Sequence, residues 1–138
     1  METTEKAFKQ WCNKKKYFCK KLLTHTATGH GNNQEADFIV GTKNNVYLVE
    51  CKERKSDRFE FNGLSQELKL NLVQKKTNVI TPIILIRFVN QKTIVKLTLN
   101  EFLELKNQCQ FKNGKYKKSI NITEIPNQYK FSWKSLNL

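Results

Sequence analysis

The run Pro82-Ile-Ile-Leu-Ile86 constrains the fold more than any other stretch of the chain. It has no polar face, so a strand built from it must be covered on both sides, as in sheets held between helices. Residues 93–97 read as a second strand directly after it. Upstream, residues 36–40 and 46–51 are two short β-rich runs around Gly41-Thr-Lys-Asn-Asn45. Gly and Asn suit a tight reversal, so these runs are expected to form a hairpin.

Helical spacing appears in three places. Across residues 3–21, with Thr3 or Thr4 as cap, Phe8, Trp11, Cys12, Phe18, Cys19 and Leu22 share one face, interrupted by Lys15. Residues 64–77 place Leu64, Leu68, Leu72 and Val73 together, with Asn78 as a stop. Asn100 can cap a short helix over residues 101–106. Residues 22–26 are expected to be a short strand, and residues 28–33 a loop. The order α-β-β-β-α-β-β-α points to an α/β fold, a mixed sheet flanked by helices. From Cys109 onward aromatic and β-branched residues are scattered among Lys and Asn, which is consistent with edge strands or an arm. With 138 residues the chain is read as one domain, its core spanning about residues 5–106 and a C-terminal extension following over 107–138.

Composition narrows the partner. Lys and Arg number 25 against 12 Asp and Glu, a formal charge of +13, while nine Phe, four Tyr and two Trp provide for a real core. A folded domain facing a polyanion is the expectation. No stretch has the length and apolarity of a membrane span, and the N-terminus lacks the apolar segment of a signal peptide, so a soluble, intracellular protein is expected. Cys12, Cys19, Cys51 and Cys109 form no C-x-x-C pair, which argues against structural zinc and for reduced thiols.

Among four Glu-x-Lys tripeptides, only Glu50 and Lys52 end an apolar strand whose neighbour also carries an acid, Asp37. In an antiparallel hairpin the paired positions keep a constant sum. A two-residue loop at Lys43-Asn44 pairs Asp37 with Glu50, and one at Asn44-Asn45 pairs Asp37 with Lys52. Both put all three side chains on one face, whereas a three-residue loop would send Asp37 to the other. Two crowded carboxylates beside an ammonium suit a hard cation, Mg²⁺ or Mn²⁺, which keeps several waters. Such a centre polarises a phosphoryl oxygen and activates water, with Lys52 placed to orient that water or to stabilise developing charge. The chemistry is metal-assisted hydrolysis of a phosphodiester. Lys14, Lys16, Lys20, Lys55 and Arg58, with Arg54 and neighbouring lysines, form a candidate phosphate-tracking surface. His30, in a Gly-flanked loop, is a candidate contact to DNA or to the attacking water.

Ala36-Asp-Phe-Ile-Val40 and Val46-Tyr-Leu-Val-Glu-Cys-Lys52 resemble the Pro-Asp and Glu-x-Lys strands of the PD-(D/E)XK nucleases. Within that superfamily the chain is similar to the Holliday-junction resolvases of archaea, their viruses and some bacteria. Ala36 stands where the family usually has Pro. The resemblance implies a restriction-endonuclease-like fold, a role in DNA recombination and repair, Mg²⁺ or Mn²⁺ as cofactor, four-way DNA junctions as substrate and a homodimer. It also implies a further active-site acid at Glu5, a substrate contact at Thr28 in the loop beginning Thr28-Gly29, and an active-site role for Gln66. Plainer readings stand beside these: Glu5 as compensation of a helix dipole, Gln66 as a solvent-facing residue, the lysines as a solvated face. Other substrates keep the same chemistry, in a restriction-like, flap or repair nuclease. A basic DNA-binding module without catalysis is the alternative from a different class.

Overall fold

The computed structural model describes residues 2–22, 36–64, 66–111 and 117–138. Helix α1 (Thr4–Lys15) is capped by Thr3, whose Oγ1 accepts from the Lys6 amide. It ends six residues earlier than its spacing predicts, because Lys16 turns into the left-handed region (φ 61°, ψ 33°) and residues 16 and 17 close onto the carbonyls of Asn13 and Cys12. The chain then extends as β1 (Phe18–Lys21), so the strand expected over 22–26 lies earlier, and residues 23–26 fall outside the described residues. Phe18, assigned to the apolar helix face from sequence, is instead 63% exposed.

Strands β2 (Phe38–Gly41) and β3 (Val46–Arg54) form the expected hairpin. Strand β4 (Arg58–Glu60) and a 3₁₀ turn (Phe61–Gly63) lead to α2 (Glu67–Lys76). Then follow β5 (Ile80–Phe88), β6 (Thr93–Thr98) and α3 (Leu99–Phe111). Helix α3 is longer than its spacing predicts and is not started by Asn100. Thr98 and Glu101 satisfy each other's amides, at 2.8 Å and 3.1 Å, in a reciprocal capping arrangement.

The main sheet has the order β1-β2-β3-β5-β6-β8, where β8 is Lys130–Phe131. Its centre is a nine-residue parallel pairing of β3 with β5, from Val46 opposite Ile80 to Arg54 opposite Phe88, and the other neighbours are antiparallel. Parallel neighbours require a long crossover, and β4 with α2 supplies it. Alternation along β5 sends Ile83 and Leu85 to the α1 side, with Phe8, Trp11, Cys12, Phe38 and Val49. Ile84, Ile86 and Phe88 go to the opposite side, with Leu70 of α2 and Leu99, Phe102 and Leu105 of α3. Both faces of the apolar run are thus covered, as its composition requires.

The C-terminal residues join this packing. Strand β7 (Ser119–Asn121) pairs with β4 in a small second sheet, and Ile120, Ile122 and Ile125 are buried in the α2/α3 cluster. Strand β8 covers the β6 edge, and Leu136 is buried on the α1 side.

Candidate active site

The hairpin ladder pairs Phe38 with Val49 and Gly41 with Val46, and the Thr42 amide donates to Asn45 O at 2.9 Å. The two residues left at the tip are Lys43 and Asn44, so the register is the first of those weighed from the sequence. Continued by one step, it sets Asp37 opposite Glu50. Both, with Lys52, lie on the α2/α3 side of the sheet, in line with Ile39 and Leu48.

These acids are deeply placed: Asp37 is 8% exposed and Glu50 2%. Lys52 Nζ stands 3.1 Å from Glu50 Oε2. Asp37 Oδ2 accepts from the Cys51 amide at 2.8 Å, which ties its side chain to the strand bearing Glu50. Glu50 Oε1 is buried and has no hydrogen-bond partner among the described residues. Burial, and then the Glu50 charge, push the Asp37 carboxyl up to about 7 against the pull of the Cys51 amide. Glu50 is raised by burial as well, opposed by Lys52. The Lys52 ammonium thus pairs with Glu50, the Cys51 amide with Asp37, and Glu50 Oε1 has no hydrogen-bond partner among the described residues.

An added cation of high charge fits that deficit. Among the described residues no group of three or more His, Cys, Asp or Glu side chains is arranged to hold a metal. The donors present, two carboxylates, suit Mg²⁺ or Mn²⁺ and do not suit a closed zinc site. The Cys51 thiol faces the α1 side and is buried there.

Glu5 sits in the first turn of α1, which is fastened to β3 by a 2.7 Å hydrogen bond from Thr4 Oγ1 to Glu53 Oε1. Its charge reaches Asp37 and Glu50, adding to the upward push on both, but its carboxylate pairs with Lys21 Nζ at 2.8 Å. Lys21 falls in the 3–21 span whose spacing predicts helix, because the α1 end and the turn into β1 carry no Gly or Pro signal. Gln66 is buried immediately ahead of α2, against the solvent-facing alternative. Thr28 and His30 lie outside the described residues.

The basic residues divide. Lys20 lies opposite Ile39 on the face that carries Asp37, and Lys55 and Arg58 are exposed just past the end of β3. Lys16 is beside the hairpin tip, roughly 13 Å along β2 from Asp37, and Lys14 precedes it on α1. Arg54 is committed internally. Its guanidinium stacks on Phe59 at 4.7 Å, pairs with Glu60 at 3.5 Å and packs where a Cβ on Gly63 would come within 2.7 Å of Nη2.

A six-stranded mixed sheet with α1 on one face and α2 and α3 on the other is a restriction-endonuclease-like α/β arrangement. The particular likeness is to the solved structure of Hjc, a Holliday junction resolvase from the archaeal hyperthermophile Archaeoglobus fulgidus, with a TM-score of 0.57 over 86% of each chain. Identity over that match is 8%, so the likeness is one of fold. No protein-family model and no curated protein matches the sequence.

Proposed function

We propose that this chain is a divalent-metal-dependent endodeoxyribonuclease that cuts four-way DNA junctions. The observation that carries the reading is the buried Asp37–Glu50 pair with its partnerless Glu50 Oε1 and a lysine at 3.1 Å. Buried carboxylates without full compensation are costly, and a fold keeps them where they do chemistry. Asp37 and Glu50 would hold Mg²⁺ or Mn²⁺, with Glu5 joining them once released from Lys21. The ion, when bound, polarises the scissile phosphate and lowers the pKa of a coordinated water.

The chain's own residues do the rest. The Cys51 amide keeps the Asp37 carboxylate turned toward β3. Lys52 orients the attacking water and offsets negative charge as it grows on the phosphorus oxygens. Gln66, at the start of α2, is assigned to the same site. Lys20, Lys55 and Arg58 hold the backbone by its phosphates, with Thr28 and His30 as further contacts. A four-way junction presents two symmetry-related scissile strands, and a C₂ homodimer would present two sites to them. Among the described residues no helix is long and apolar enough to cross a membrane.

The test is cleavage of a four-way junction, a flap and a linear duplex, with and without Mg²⁺, by the wild type and by Asp37→Asn. Paired nicks confined to the junction, dependent on Mg²⁺ and lost in the variant, are expected. Preferential cutting of duplex or flap overturns the substrate, and full activity of Asp37→Asn overturns the site.

A further inference from the structure

On the α1 side of the sheet, away from the carboxylates, a cavity of about 360 Å³ runs between α1 and the C-terminal turn. Two indoles and three ammonium groups line it: Trp11, Trp133, Lys14, Lys15 and Lys134, with Glu2 as the single acid. The indole N–H of Trp11 donates to the Trp133 carbonyl at 3.0 Å, which joins the helix to the turn and fixes the groove's two walls. Trp11 is buried and Trp133 half-buried against the α1-side core. Lys15 Nζ stands 5.9 Å from the centre of the Trp11 ring, so a cation is already held over an aromatic surface.

We infer that this groove binds an unpaired nucleotide of a single-stranded DNA or RNA segment, its base against Trp133 and its phosphates against Lys14, Lys15 and Lys134. Single-strand sites combine a stacking aromatic with a basic track, and both are present here. The lining's three cations against one acid, within a chain of formal charge +13, select an anionic ligand. The volume lies at the low end of the roughly 300–1,000 Å³ of small-ligand pockets, enough for one nucleotide and far too small for a duplex. Paired bases would leave the indole without a use, because only phosphates could reach the rim. The groove also gives a role to Lys14, which the fold sets apart from the carboxylates. The inference concerns binding alone and does not depend on cleavage.

Trp11 and Trp133 are the only two tryptophans in the chain, so indole fluorescence reads this groove selectively. Titration of the full chain in EDTA with a short oligothymidylate should quench that fluorescence. A duplex of equal length and polyglutamate should leave it unchanged. Trp133→Ala should weaken binding of the oligonucleotide, followed by its anisotropy, by about tenfold. Lys134→Glu, an exposed change that leaves the fold alone, should raise the half-saturation point for quenching several-fold, and Asp37→Asn should not move it. Equal quenching by polyglutamate assigns the groove to an acidic peptide and overturns the inference. Equal quenching by duplex, or oligonucleotide binding without any quenching, overturns it as well. Junction cutting by Asp37→Asn would remove the proposed active site and leave the groove untouched.

Discussion

The two faces of β3 are built by one rule and used in opposite ways. Toward α1, Val49 and Cys51 are buried among Phe8, Phe38, Ile83 and Leu85, and burial there removes apolar surface from water. Toward α2 and α3, Leu48 begins the same kind of packing, but the next two positions on that face are Glu50 and Lys52. Glu50 is as deeply buried as its apolar neighbours, yet it brings an unsatisfied oxygen. One face of the strand therefore stabilises the fold while the other draws on that stability to hold charge in place.

Substitutions on the two faces should separate activity from stability. On the charged face, Asp37→Asn or Glu50→Gln should lower junction cleavage by a factor on the order of 10⁴, from several kcal/mol of lost metal-dependent stabilisation. Melting temperature measured without metal should hold or rise, because a buried charge has been removed and, in Asp37→Asn, the side-chain carbonyl oxygen can still accept from the Cys51 amide. Lys52→Ala should cost on the order of 10²–10³ in cleavage rate. On the apolar face, Phe8→Ala should destabilise by about 3–5 kcal/mol, read by urea unfolding, and the molecules that remain folded should still cut. A variant of Asp37 or Glu50 that unfolded as readily as Phe8→Ala would erase the distinction.

The same two faces explain what could be read from the sequence. Asp37 and Glu50 are legible because a hairpin is local: its tip, Lys43-Asn44, fixes a sum that carries through to the carboxylates. The apolar run of β5 announces a doubly covered strand for a similar reason, since its whole message lies in consecutive residues. Contacts formed between distant segments carry no such message. The Glu5–Lys21 pair depends on where α1 stops, and Lys16 stops it with a left-handed turn that lysine rarely signals. Pairing of β4 with β7 joins two three-residue strands about sixty positions apart, too short for a period to show. Strand β8, with two residues, is defined by the β6 edge it covers and has almost no pattern of its own.

A smaller effect should appear in the pH dependence of stability without metal. The Asp37 carboxyl, ordinarily near 3.8, is raised to about 7 in the folded chain by burial and by Glu50. Between those values the folded state keeps a proton that the unfolded state has released, so stability is highest below about 4 and falls as pH rises toward 7. Asp37→Asn should flatten that slope. Adding Mg²⁺ should raise the melting temperature more at pH 8 than at pH 5, where the ion must displace the proton, and EDTA should reverse the gain. A slope unchanged in Asp37→Asn would place the titrating group elsewhere.

The smallest effects belong to the rim of the charged face. Lys20, Lys55 and Arg58 are exposed, with Arg58 making only a 3.4 Å side-chain hydrogen bond to Ser119 Oγ, so each should matter chiefly through phosphate. Truncating any one to Ala should reduce junction affinity modestly and about equally for all sequences, and should lower the slope of log affinity against log salt by about 1. Melting temperature should stay within the change usual for surface sites, about 0.5 kcal/mol in stability. Arg54→Ala provides the contrast, since Arg54 lies between Phe59, Glu60 and Gly63 and is already spent on the fold. It should cost more stability than the other three and change the salt slope less. If Arg54→Ala instead gave the larger loss in salt slope, the path of the backbone would run along β4 and the 3₁₀ turn behind it. Lys20, on β1, would then be a bystander to that path.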